Sequence, residues 1–255
     1  MRKSLLILLL GAQMAVAQVP SVPDDTTRRA IQQFLLHNRI LDTPQALERA
    51  PYIVASSGGR VLGGDGDVVY ARGTLDPVQS AYGIFRRGRD YTDPHTGELL
   101  GISADDIGTA RFLMTDNVTA LSVQRITREI RPGDRLLSAQ TPIDIANIVI
   151  HKPVFNLDGQ IIDVPRGVTQ IGVLDAVTLN KGRRDGLTEG HLLSVKKTGE
   201  TVRDRVTGAP TKIPDTCAGT LLVFRTFEKL SYALVLEASG SLAVLDRFTT
   251  GEPLQ

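Results

Sequence analysis

From Tyr52 onward the sequence repeats itself, and this limits the possible folds more than any other feature. Val68-Val69-Tyr70-Ala71-Arg72-Gly73 matches Val177-Thr178-Leu179-Asn180-Lys181-Gly182. Arg86-Arg87-Gly88, Thr96-Gly97 and Gly108 match Lys196-Lys197-Thr198-Gly199, Thr207-Gly208 and Gly219. Ala120-Leu121-Ser122-Val123 matches Ala233-Leu234-Val235-Leu236, and Asp134-Arg135-Leu136 matches Asp246-Arg247-Phe248. The offset drifts only from 109 to 113 residues. A period this long marks duplicated modules rather than a solenoid.

The repeated region consists of short β-branched runs broken by Gly, Pro and Asp. They include Tyr52-Ile53-Val54, Thr119 to Val123, Leu192 to Val195, Leu221 to Phe224 and Tyr232 to Leu236. Many short strands at such spacing predict a mainly β fold, with two related sandwich-like or barrel-like modules. Before them, Ala30, Ile31, Phe34 and Leu35 recur at helical spacing behind a cap at Asp25 or Thr26. A second short helix is predicted from Thr43-Pro44 to just before Pro51. The expected layout is a helical element over 26–50, a first β module over 51–139, a linker over 140–158 and a second β module over 159–255.

The first residues carry Arg2 and Lys3, an apolar run from Leu5 to Leu10, and Ala15-Val16-Ala17. That order predicts a cleavable secretory signal over 1–17, a mature start at Gln18 and a periplasmic protein, with a proline-spaced leader over 18–25. Cys217 is the single cysteine, so neither an intrachain disulfide nor a lipidated cysteine at the cleavage point is expected. Without Arg2 and Lys3 the chain holds 27 Lys+Arg against 28 Asp+Glu, which gives no field to attract nucleic acid.

Motifs that suggest chemistry have simpler readings. Gly182, Gly186 and Gly190 are spaced like a phosphate loop, but a strand follows instead of a helix, so they are expected to be turn glycines with positive φ. Gly63-Gly64-Asp65-Gly66-Asp67 fails both the calcium and the dinucleotide templates and is read as a surface turn. Ser194-Val195-Lys196-Lys197-Thr198-Gly199 contains both SxxK and KTG, yet these overlap where penicillin-recognising enzymes keep them far apart. Cys217 has no histidine at motif spacing and reads as a half-buried strand residue. His37, His95, His151 and His191 show no metal-ligand spacing. Asn117-Val118-Thr119 fits a glycosylation sequon and is set aside in a bacterial export context. No catalytic residue, cofactor or metal is predicted.

Two basic clusters remain, Arg86-Arg87-Gly88-Arg89 and Lys181-Gly182-Arg183-Arg184. They are read as equivalent turns of the two modules. Arg86, Arg87, Arg89, Arg183 and Arg184 are therefore candidate contacts for an acidic partner surface.

The stretches from Ala50 to Gly73, from Asp163 to Leu193 and from Thr198 to Gly208 resemble the C-terminal part of the TsaP-like family. These are LysM-containing periplasmic proteins associated with the type IV pilus secretin. The last portion is also similar to the C-terminal domain of the flagellar assembly family FlgT. The resemblance runs from about Thr27 to the end and implies a non-catalytic accessory role beside an outer-membrane secretin or another envelope protein, with homo-oligomers as an option. In that family a LysM module follows the signal peptide, whereas here Gln18 leads directly into the leader. Peptidoglycan binding through LysM is consequently not expected. A peptidoglycan-binding or peptidoglycan-modifying protein is the alternative.

Overall fold

The computed structural model describes residues 22–57, 66–138, 143–165, 167 and 170–250. The predicted signal and the first half of the leader, 18–21, lie outside the described residues, as do Gly63-Gly64-Asp65 and 139–142. The chain runs α1 (Asp25–His37), β1 (Asn38–Leu41), α2 (Pro44–Glu48), β2 (Tyr52–Ser56), β3 (Val68–Arg72), β4 (Ala81–Thr92), β5 (Leu99–Thr115), β6 (Thr119–Ile126) and β7 (Arg135–Ser138). It continues through β8 (Asp158–Asp163), β9 (Ala176–Leu179), β10 (Leu192–Lys197), β11 (Thr201–Arg203), β12 (Pro210–Lys212), β13 (Thr216–Thr226), β14 (Ser231–Ala238) and β15 (Arg247–Thr249). The cap of α1 is Asp24, one residue before the expected position, whose carboxylate accepts from the Thr27 amide at 2.8 Å. Ile31 and Phe34 are the fully buried part of its apolar face, with Ala30 and Leu35 partly buried beside them. Pro at the first position starts α2, but Thr43 makes no side-chain cap bond.

The expected mainly β fold is present. β1 to β7 form one antiparallel sheet in the order β1-β5-β4-β7-β2-β3-β6, and β6 pairs back onto β5. Six strands thus return on themselves, with β1 added on the outside of β5. β8, β9, β10, β13, β14 and β15 form a closed barrel in the order β10-β13-β14-β9-β8-β15. Substituting β4, β5, β6, β3, β2 and β7 for these gives the pairing order of the first sheet, so the duplication holds at the level of topology.

It also holds for bulges and turns. β4 and β5 shift register after Ile84–Gly108, and β10 and β13 shift after Val195–Gly219, each residue displaced by 111 positions. Asp93 to Glu98 and Asp204 to Ala209 make the same turn. In it Gly97 and Gly208, at φ 71° and 73°, donate at 2.9 Å to the carbonyls of Asp93 and Asp204. Asp134 accepts from Arg86 Nε at 2.7 Å, and Asp246 accepts from Lys197 Nζ at 2.6 Å.

In one respect the sequence match is off by a residue. The core-facing residues of β3 are Val69 and Ala71, whereas those of β9 are Val177 and Leu179, so Val69 corresponds to Val177 rather than to Thr178. All four residues of β9 are buried, and a strand buried on both faces lacks the alternation that would fix register in the sequence.

The duplication also locates a strained residue. Gly133 before Asp134 has φ 95°, but its counterpart before Asp246 is Leu245, held at φ 74° and 56% exposed. A left-handed leucine costs about 1–2 kcal/mol, offset in part by the greater chain entropy of glycine. Leu245→Gly is therefore expected to raise stability by about 0.5–1 kcal/mol. Urea unfolding checks this, and Val244→Gly, a substitution outside the left-handed position, should give no such gain.

Three apolar clusters hold the molecule. Ile53, Ile84, Ile107 and Leu121 belong to the one inside the first sheet, and Ile161, Leu193, Leu221 and Phe248 to the one inside the barrel. The third lies between them. There Ile31 and Phe34 of α1, Ile40 of β1, and Tyr91 and Leu100 of the β4–β5 hairpin pack on Phe224, Leu230, Tyr232 and Leu234 of the barrel. The long β4–β5 hairpin is therefore an arm that leaves the first sheet and lies on the outer face of the second. Its counterpart, β11–β12, leaves the barrel as a separate two-stranded hairpin whose six strand residues are all exposed.

Candidate functional site

The seam where the first arm meets the barrel is where sequence-predicted residues and cavities coincide. Its apolar floor is aromatic. Phe34 stands edge-on to Tyr232 at 4.7 Å and to Phe224 at 5.7 Å, and Phe227 meets Tyr232 at 5.3 Å. A cavity of about 670 Å³ opens beside it, lined by His37, Arg87, Arg89, Asp106, Arg128 and Tyr232 among others.

The polar rim joins the two modules directly. Arg89 Nη1 donates to Asp163 Oδ1 at 2.7 Å, and the Tyr91 hydroxyl donates to the other oxygen of the same carboxylate at 3.2 Å. Asn180 Nδ2 donates to Asp93 Oδ2 at 2.9 Å. Arg184 forks onto Glu98 with two bonds of 2.8 Å, and Lys229 Nζ reaches the same carboxylate at 2.6 Å. Burial, with Asp163 alongside, pushes the Tyr91 phenol far above its usual range.

Hydrogen bonds from Arg184 and Lys229 pull Glu98 from 4.5 down to about 2. A carboxylate depressed on folding adds stability that is complete above its unfolded pKa and is lost as pH falls toward the folded one. The Glu98 contribution should therefore disappear between pH 4.5 and about 2. Thermal unfolding of the wild type and Glu98→Gln should differ near neutrality and converge across that window. Because the carboxylate is solvent-exposed, the difference should shrink with added salt.

All five candidate partner-binding arginines are engaged within the chain. Arg86 forks onto the buried Asp134, and Arg87 pairs with Asp90 and Glu48. Arg183 lies 3.8 Å from Glu228. Arg89 and Arg184 hold the seam as described above. The two basic clusters are not equivalent turns: Arg86 to Arg89 lie within strand β4, and Arg183-Arg184 form a short 3-10 turn after β9. Glycine and three arginines close together read as a turn, but β4 continues through them as a strand paired with β5, and the arginine charges are met by Asp134, Asp90, Glu48 and Asp163. Arg86 and Arg87 pair in register with Asp105 and Ala104.

Of the three glycines after β9, Gly186 and Gly190 have the expected positive φ, whereas Gly182 is extended at φ −139°. Gly182 is needed for close approach instead: a Cβ there would meet the Leu230 amide and the Phe227 carbonyl at 2.6 Å. Ser194 is fully buried on β10 and Lys197 is paired with Asp246, so the SxxK string lies in a barrel wall. Cys217 is a partly buried free thiol on β13, as expected.

Two features had no signal in the sequence. His151 and His191, 40 positions apart, form a parallel bridge with ring centroids 4.5 Å apart. Burial, and then His151, hold the His191 imidazole below its usual pKa. The second is Asp106, buried at the cavity edge, which accepts from Arg125 at 2.9 and 3.0 Å and lies 3.2 Å from His37 Nδ1. Ser103, on the same cavity wall, accepts from the Arg89 amide at 2.7 Å. Among the described residues no group of three or more His, Cys, Asp or Glu is placed to hold a metal. The seam's carboxylates and cations are spent on each other, which suits the arrangement to joining protein surfaces. No family model matches the sequence, and no curated protein matches it.

Proposed function

We propose that this chain is a non-catalytic periplasmic docking protein of an envelope-spanning assembly, with the type IV pilus secretin as the partner that the sequence resemblance suggests. The observation that carries the reading is the unequal use of two equivalent arms. The first arm binds a β-barrel face through Tyr91, Leu100 and a rim of ion pairs. The second presents Val202 at 41%, Val206 at 92% and Ile213 at 41% exposure. A fold that already uses this hairpin to bind protein, and carries a spare copy, is suited to docking. The predicted export signal and the sequence resemblance support an envelope location for that docking.

Tagged purification of the mature chain from cell envelopes, at salt high enough to weaken casual charge contacts, tests the reading by mass spectrometry of what is retained. The secretin should be recovered, and replacing 200–213 by a short glycine turn should abolish its recovery. Equal recovery without the arm, or a protein that elutes alone, contradicts the reading.

A further inference from the structure

The duplication specifies what the free arm fits. In register, Tyr91 of the first arm corresponds to Val202 of the second, and Asp93 to Asp204, each displaced by 111 positions. The barrel face that receives the first arm also has a counterpart on the first sheet. β5–β6 and β13–β14 share both bulges, pairing Phe112 with Leu121 and Val223 with Ala233, then Met114 with Ala120 and Arg225 with Tyr232. The bulged residues Leu113 and Phe224 therefore occupy one site, Ala120 and Tyr232 a second, and Tyr70 and Thr178 a third. On the barrel this face is covered, and Phe224 and Tyr232 are buried. On the first sheet it is open, with Leu113 at 48% and Met114 at 61% exposure.

We propose that the β11–β12 arm of one molecule docks on the outer β3–β6 face of a second copy, repeating between chains the contact that the β4–β5 arm makes within one. The proposal rests on the docking reading and names a partner for the arm. Charge agrees with it. Asp93 of the first arm accepts from Asn180 on the barrel. The corresponding pair between copies is Asp204 with Arg72, an exposed arginine at the end of β3. The contact is heterologous: every docked copy still offers one arm and one face, so association continues into a ring or a filament. Among the described residues no counterpart of α1 with Phe34 covers the face between copies, so each contact is weaker than the seam.

Sedimentation velocity of the mature protein from about 1 µM to about 1 mM should show reversible growth beyond the monomer. Arg72→Asp should weaken association about tenfold or more, while Arg72→Lys retains it. A photo-crosslinking benzoylphenylalanine at Val202 should join two chains through the peptide that carries Tyr70. Monomers at every concentration, or Val202 crosslinks between copies that map to another face, overturn the proposal. If the protein stays monomeric while Val202 in envelopes crosslinks to the secretin, the second copy is ruled out as occupant and the docking reading stands. If Val202 crosslinks to nothing in either setting, both fail.

Discussion

Phe34→Ala is expected to destabilise the protein by about 3–5 kcal/mol, the range for truncating a buried phenylalanine where neighbours cannot close the space. Those neighbours are rigid: Phe224 and Tyr232 belong to adjacent barrel strands, and both meet the Phe34 ring edge to face. The loss falls on the seam rather than inside either module, since Phe34 packs in the cluster that joins them. Urea unfolding followed by far-UV circular dichroism should therefore change from one transition to two as the modules uncouple. Leu36→Ala two residues away, at a side chain 63% exposed, should stay within about 0.5 kcal/mol of wild type. A Phe34→Ala protein with wild-type midpoint and cooperativity would remove α1 from the account of the seam.

Removing the carboxylate of Asp134 should cost nearly as much, about 3 kcal/mol, because it strands Arg86 and an amide at once. Asp134 is 3% exposed; its two oxygens take Arg86 at 2.7 and 2.9 Å and the Arg131 amide at 2.8 Å. Asp246 holds the same position in the barrel, accepting from Lys197 and from the Ala243 amide at 2.8 Å. Asp134→Ala and Asp246→Ala should each destabilise, with the larger loss at Asp134, where the cation is a forked arginine. Denaturant midpoints of the two alanine variants and of Asp134→Asn, which retains an oxygen to accept the amide, measure both effects. A neutral alanine variant at either position would contradict the shared structural role of the two carboxylates.

Elements whose two faces differ were legible in the sequence. β3 and β6 alternate, α1 has one apolar face, and the Thr-Gly and Asp-Arg turns are marked by residues that those geometries require. The duplication followed from these signals. The register of β9 did not, because Ala176 to Leu179 are buried on both faces and nothing in the sequence distinguishes inside from outside. β4 and β5 were hidden for a different reason. Their hairpin leaves its own core, so Arg86, Arg87 and Arg89 answer to Asp134 in the turn before β7, to Glu48 and Asp90, and to Asp163 of the barrel rather than to a hydrophobic pattern. The arginines drew attention as a group, but their roles depend on tertiary partners up to 86 positions away, as for Arg184 and Glu98. The His151–His191 contact likewise pairs the segment before β8 with the residue before β10, with no local spacing to announce it.

The unequal fate of the two arms is the centre of the account, and amide hydrogen exchange reads it directly. Exchange should be followed on the dilute mature protein and again on the protein recovered with its envelope partners. The account predicts slow exchange across the Tyr91–Leu100 arm in both samples, and fast exchange over 201–212 in the dilute protein that slows in the assembly. A second arm that exchanges equally fast in both samples would contradict it.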